Sequence, residues 1–117
     1  MLAALPDETL LVEQLIAGDE KAFGKIYAFY QSRLFLFAFR FTKSKSQAEE
    51  VVQEVFVRLW TKREQIRIEK NFSAYITRVA KNLILDGLKK AAYDSKVQKK
   101  IYENMQLIRE SPIEELM

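Results

Sequence analysis

The sequence predicts an all-α fold, a compact bundle of about four helices followed by a partly helical segment. Three observations carry that prediction. Only three glycines and two prolines occur in 117 residues, which leaves little material for tight hairpins. Apolar residues recur at three- and four-residue steps through most of the chain. Residues that start and stop helices stand where those periodic runs begin and end. A chain this long fits one domain and buries roughly two-thirds of its unfolded surface, enough for one core.

Asp7 is expected to cap a first helix running to about Ala17, with Leu10, Leu11, Gln14 and Leu15 on or near the inward side and Gly18 supplying the stop. Asp19 then caps the second helix, Glu20 to Phe41, whose stripe of Phe23, Ile26, Tyr27, Tyr30, Leu34, Phe37, Ala38 and Phe41 is the longest in the chain. Phe35, Phe37, Phe39 and Phe41 also alternate as in a strand, but no turn signal separates them from the helical pattern before, so helix is preferred. Ser46 with Glu49 matches a Ser-x-x-Glu capping box, which starts the third helix near Gln47 and carries it to about Lys62.

Arg63 to Asn71 reads as a charged connection containing Ile66 and Ile68. Asn71 or Ser73 caps the fourth helix, which runs to about Ala92. Gly87 inside it costs about 1 kcal/mol against alanine, and close helix packing is the expected reason for it. Tyr93 to Glu110 is helix-compatible but poorly amphipathic, and Ser111-Pro112 breaks it before Ile113 to Met117 begins another element.

Two of these helices have outer faces of opposite character. At about 100° per residue, Ala48, Val51, Val52, Val55 and Leu59 fall on one side of the third helix, and Glu50, Gln53, Glu54 and Val57 on the other. On the fourth, Arg78, Lys81, Asn82, Leu85 and Lys89 share a side, opposite Phe72, Tyr75, Ile76, Val79 and Leu83. Net charge follows the same division. Residues 61–100 hold 11 Lys and Arg against 4 Asp and Glu, a net of +7, while the rest of the chain holds 8 against 12, a net of −4. Such polarity points to two different partners, one of them polyanionic. Solvated helix faces are the plainer alternative.

Composition narrows the chemistry. The chain has no cysteine and no histidine, so disulfides, thiol nucleophiles, ordinary zinc sites and the commonest general base are excluded. The carboxylates lie in helical runs without the loop spacing of a calcium site, so no metal or cofactor is expected. No nucleophile-base pair or glycine-rich phosphate loop is present, so neither a small-molecule substrate nor an enzymatic reaction is expected. The run Leu34 to Phe39, flanked by Arg33 and Arg40, is far shorter than the roughly 20 residues of a membrane span. The first residues lack a basic start and a sustained apolar run, and a cytoplasmic location is expected.

The spaced signature Glu50-x-x-Gln53-Glu54-Val55-Phe56-x-Arg58-x-Trp60, followed by Phe72-x-Ala74-Tyr75-x-x-Arg78-x-Ala80-Lys81-Asn82-x-x-x-Asp86-x-x-Lys89, resembles the region-2 domain of a bacterial sigma factor of the extracytoplasmic-function (ECF) group. The likeness covers about residues 8 to 92, including the Gly18-Asp19 turn. It implies that the third helix docks on the paired clamp helices of the largest subunit of core RNA polymerase through Glu50, Gln53 and Glu54, with Val57 and Arg58 beside them. Glu50 stands where the family more often has aspartate.

The resemblance further implies that the fourth helix and the connection before it melt promoter DNA and hold the non-template strand of the minus-ten element. Arg67, Lys70, Asn71, Arg78, Lys81, Asn82 and Lys89 are the candidate contacts, with Gln65 to Asn71 the lip of a pocket for an extruded base. Phe56, Trp60, Phe72 and Tyr75 are expected in the core, and Asp86 in a hydrogen bond within the domain. On this reading residues 1–92 form the region-2 domain, and residues 93–117 a linker towards a C-terminal helix-turn-helix domain for the minus-35 element. An anti-sigma factor is a further partner the likeness implies. The runner-up is a non-catalytic helical adaptor whose basic face meets an acidic protein or lipid surface.

Overall fold

The structure, a computed structural model, describes residues 5, 7–68, 71–91 and 98–110, excluding the side chains of residues 91, 98–102 and 104. Every described element is helical: α1 Glu8–Ile16, α2 Glu20–Thr42, α3 Lys45–Thr61, a 3-10 turn Arg63–Gln65, α4 Phe72–Ala91 and α5 Gln98–Glu110. The strand-like alternation of phenylalanines late in α2 is therefore helix, as the periodicity before it requires. No described helix is long and apolar enough to cross a membrane.

Gly18 and Asp19 make the first corner. Gly18 adopts φ +91°, a conformation that favours glycine. Its N–H bonds to the Leu15 carbonyl at 2.9 Å, while the Asp19 N–H reaches back to the Gln14 carbonyl at 2.9 Å, closing the carbonyl end of α1. Asp19 then caps α2, its Oδ1 accepting from Lys21 N at 2.8 Å and Ala22 N at 3.2 Å. Asp19→Ala is expected to destabilise the fold by about 1 kcal/mol, read as a lower urea midpoint at unchanged slope. An unmoved midpoint would mean that the backbone bonds alone hold the corner.

Two predicted caps act otherwise than expected. Asp7 does precede α1, but at φ 55° its carboxylate makes no capping bond, and it is the backbone carbonyl that accepts from Leu11 N at 2.9 Å. Aspartate serves there through its tolerance of the left-handed region. α3 begins two residues before the expected start, because Ser44, not Ser46, is extended and accepts from Gln47 N at 3.3 Å. The Thr42 hydroxyl, accepting from Ser44 N at 3.4 Å, holds Ser44 in place for this.

The core is built where α2 crosses α3 and α4. Ile26, Tyr30, Leu34, Phe37, Ala38 and Phe41 of α2 meet Ala48, Val52, Val55, Phe56 and Leu59 of α3, with Phe72, Ile76, Ala80 and Ile84 of α4 completing the cluster. Leu11 and Leu15 close it from α1, whereas Leu10, expected on or near the inward side, is 51% exposed because a helix this short turns only one side inward. Tyr27, also assigned to the stripe, is exposed at its edge. Tyr30 donates to Glu8 Oε1 at 2.9 Å, which ties α2 to α1. Burial first, then the Glu8 carboxylate, push that phenol well above its ordinary pKa.

The side of α4 that faces the core includes Phe72 and Ile76 as hydropathy predicts, but is turned from the predicted one. Ser73, Ile76, Thr77, Ala80 and Ile84 are buried, while Tyr75, Val79 and Leu83 are only half-buried. The Thr77 hydroxyl is tolerated inside because its Oγ1 donates to the Ser73 carbonyl one turn back at 2.6 Å. α5 packs against α4 and buries Met105 and Ile108, the latter joining the core cluster. The segment is thus amphipathic over Gln98–Glu110, contrary to expectation. Its first part, Tyr93 to Val97, and the Ser111-Pro112 break lie outside the described residues.

Candidate functional site

Burying Ala48, Val52, Val55 and Leu59 dictates what α3 shows to solvent. Glu50, Gln53, Glu54, Val57 and Arg58 are all exposed along one outer stripe, as the wheel predicts. Val51, assigned to the inner side, is half-buried. Arg58 Nε lies 3.4 Å from Glu54 Oε1, an exposed pair one turn apart and worth only a few tenths of a kcal/mol, roughly 0.3–0.5. Such a weak pair exchanges readily for a better partner.

Gln53 occupies the crest of this stripe. It borders a groove towards α4, shared with Glu50, Glu54, Val57, Leu83 and Gly87. It also borders an aromatic groove lined by Phe23, Tyr27, Phe56 and Trp60, and a third towards α2 lined by Phe35 and Leu36. α3 is therefore a polar ridge with apolar troughs beside it. Troughs of this kind can take helical ridges, and the exposed carboxylates of Glu50 and Glu54 can pair with cations.

The aromatic trough is firmly made. Phe23 meets Phe56 edge-on at 6.1 Å and Trp60 at 5.3 Å, and Tyr27 lies 4.6 Å from Phe56. Arg63 stacks on Trp60 at 4.4 Å and donates to the Trp60 carbonyl at 2.8 Å. Phe56 is buried as expected, but Trp60 is only half-buried. Sequence reasoning placed Phe23 and Tyr27 wholly in the core and so missed this trough; the only available signal was their place at the edge of the apolar stripe.

On α4, Arg78, Asn82 and Lys89 are exposed together, with Lys81 and Leu85 half-buried on the flank of that side. Tyr75 is also half-buried, and by helical geometry it stands one turn from Arg78 and within two of Asn82. Burial raises its pKa, so it is a neutral ring at pH 7 beside cations. That arrangement suits backbone tracking with base stacking. Tyr75, assigned to the core by sequence, is half-buried and packs against the core cluster from its edge; Phe72, 1% exposed, is core as expected.

The connection before α4 is held by its own groups. Arg67 is exposed, and its guanidinium donates to the Ile66 carbonyl at 3.0 Å. Asn71 Oδ1 accepts from Ala74 N at 2.7 Å, which makes Asn71, not Ser73, the cap of α4. Lys70 lies outside the described residues. Asp86 is exposed and its side chain makes no hydrogen bond among the described residues, contrary to the internal bond expected. Among the described residues Gly87 meets no close neighbour either: a Cβ built there finds nothing within 4 Å.

Comparison with known proteins places the chain in a family. The family model described as sigma-70 region 2 matches residues 26–93. The chain is 29% identical over 83 residues to the ECF RNA polymerase sigma factor SigW of Bacillus subtilis (strain 168), covering 71% of this chain and 44% of that protein. It is 33% identical over 82 residues to the ECF RNA polymerase sigma-E factor of Haemophilus influenzae, covering 70% and 42%. To the ECF RNA polymerase sigma factor BldN of Streptomyces coelicolor it is 27% identical over 84 residues, covering 71% and 32%. The chain thus spans less than half the length of these relatives. From the extent of the family match, and with ECF sigma factors among its relatives, this chain belongs to the sigma-70 region 2 family, in its ECF group.

Proposed function

We propose that the chain is the part of a sigma factor that joins core RNA polymerase to promoter DNA at the start of transcription. α3 docks on the clamp helices of the largest subunit through Glu50, Gln53, Glu54, Val57 and Arg58. α4 and the connection before it open the minus-ten element and hold the non-template strand, with Arg67, Lys70, Asn71, Arg78, Lys81, Asn82 and Lys89 as contacts. The module acts in the cytoplasm by binding energy, not by covalent chemistry. Residues 1–92 carry this activity, residues 93–117 tether it to a minus-35 reader, and an anti-sigma factor silences it by covering the same faces.

One observation supports this reading above the others: an anionic ridge on α3 and a cationic side on α4 are both exposed, while the apolar sides of the two helices share one core. Two oppositely charged surfaces on one rigid body suit a bridge between a cationic protein helix and a polyanion. The test is binding of core RNA polymerase by Glu54→Lys and Gln53→Ala variants. Both are expected to keep the parental helix content, because the positions are exposed. Glu54→Lys is expected to weaken association about tenfold or more, equivalent to about 1.4 kcal/mol. Unchanged affinity in both variants would refute docking through α3.

A further inference from the structure

The groove between α3 and α4 has a volume of about 710 Å³ and a glycine in its wall. Gly87 lies in the interior of α4, where glycine weakens a helix. Among the described residues nothing requires it: its φ is not in the left-handed region, and no described atom occupies the space a Cβ would enter. A missing side chain on an open wall is useful to a backbone approaching from outside.

The groove has a definite chemical character. Val51, Val57, Leu83 and Leu88 supply apolar surface, and Glu50 and Glu54 stand on the α3 side. The opening is continuous with the ridge assigned above to polymerase docking, since Gln53 and Glu54 belong to both. We infer that Gly87 admits an α-helix of the polymerase into this groove. That helix carries arginines or lysines along the flank facing Glu50 and Glu54 and an apolar stripe against Val57 and Leu83. The docking surface is thus a two-helix groove, and Gly87 is its clearance-setting residue. The inference rests on the docking reading but adds α4 to the polymerase-binding side.

Substitutions at Gly87 in the whole chain test it, with core RNA polymerase and a single-stranded minus-ten oligonucleotide as the two probes. Gly87→Ala is expected to melt higher than the parent, because alanine is the better helix former and the space is free. The same variant is expected to bind polymerase more weakly despite its greater stability, a split that a purely structural glycine would not give. Gly87→Trp, filling the groove, is expected to lose about tenfold or more in polymerase affinity while oligonucleotide affinity stays as in the parent. Gly24→Ala is the control: Gly24 is also helical with open space around it, yet borders none of the three grooves.

If Gly87→Trp folds and binds polymerase as tightly as the parent while Glu54→Lys does not, the groove is not used and the inference falls, with α3 docking intact. If Glu54→Lys and Gln53→Ala also bind normally, the docking reading falls with it. Should Gly87→Trp fail to fold, Gly87→Gln decides in the same way, since its flexible side chain enters the groove without a ring.

Discussion

Phe72→Ala is expected to cost about 3–5 kcal/mol of folding free energy. The ring begins α4, is 1% exposed and meets Tyr30 edge-on at 5.6 Å, so its removal leaves a cavity at the crossing of α2 and α4. Set against a typical total of about 5–15 kcal/mol for a small domain, that loss leaves a bundle close to unfolding. Urea denaturation followed by far-ultraviolet circular dichroism measures it. A loss under about 1 kcal/mol would mean that Tyr30 and Tyr75 collapse into the space, and Phe72 would then not be an anchor. Tyr75→Ala provides the contrast. Its ring is half-buried, so it should cost less stability and more oligonucleotide affinity than Phe72→Ala does in the fraction that remains folded.

Reversing two charges on α4 has the largest expected effect on binding. Arg78→Glu with Lys81→Glu changes the charge of that side by four units and puts carboxylates where phosphates would lie. Affinity for a single-stranded minus-ten oligonucleotide should fall by about tenfold or more at low salt. The salt dependence should also flatten: with about 0.7 logarithmic units per phosphate contacted, losing two contacts lowers the slope by about 1.4. Polymerase affinity should remain, because neither residue borders the groove or the ridge of α3. A parental slope in the doubly reversed variant would show that neither cation touches a phosphate.

Much of this architecture is legible in the sequence wherever one helix decides the outcome alone. The length of α2, the glycine stop at Gly18, the cap at Asp19 and the outer stripe of α3 all follow from spacing and local bonding. Ser44 was hidden because Ser44-x-x-Gln47 and Ser46-x-x-Glu49 are equally good capping patterns, and the choice falls to a hydroxyl from Thr42. Buried Thr77 defeats a hydropathy wheel, since a hydroxyl bonded to its own helix counts as polar there while costing little inside. α5 buries only Met105 and Ile108 among its described side chains, too short a stripe to read. The grooves beside Gln53 are illegible for another reason. Each is made by residues from separate helices, and no local pattern in α3 announces Gly87 or Tyr27 across the gap.

The corner at Gly18 and Asp19 has a mechanical consequence. Swinging segments need at least one residue whose dihedral angles are free to absorb the rotation. Here Gly18 is committed to the reverse bond with Leu15, and Asp19 is committed at once to Gln14 behind it and to Lys21 and Ala22 ahead. No joint is left between α1 and α2. The amino-terminal helix is therefore held against α2 as a fixed brace.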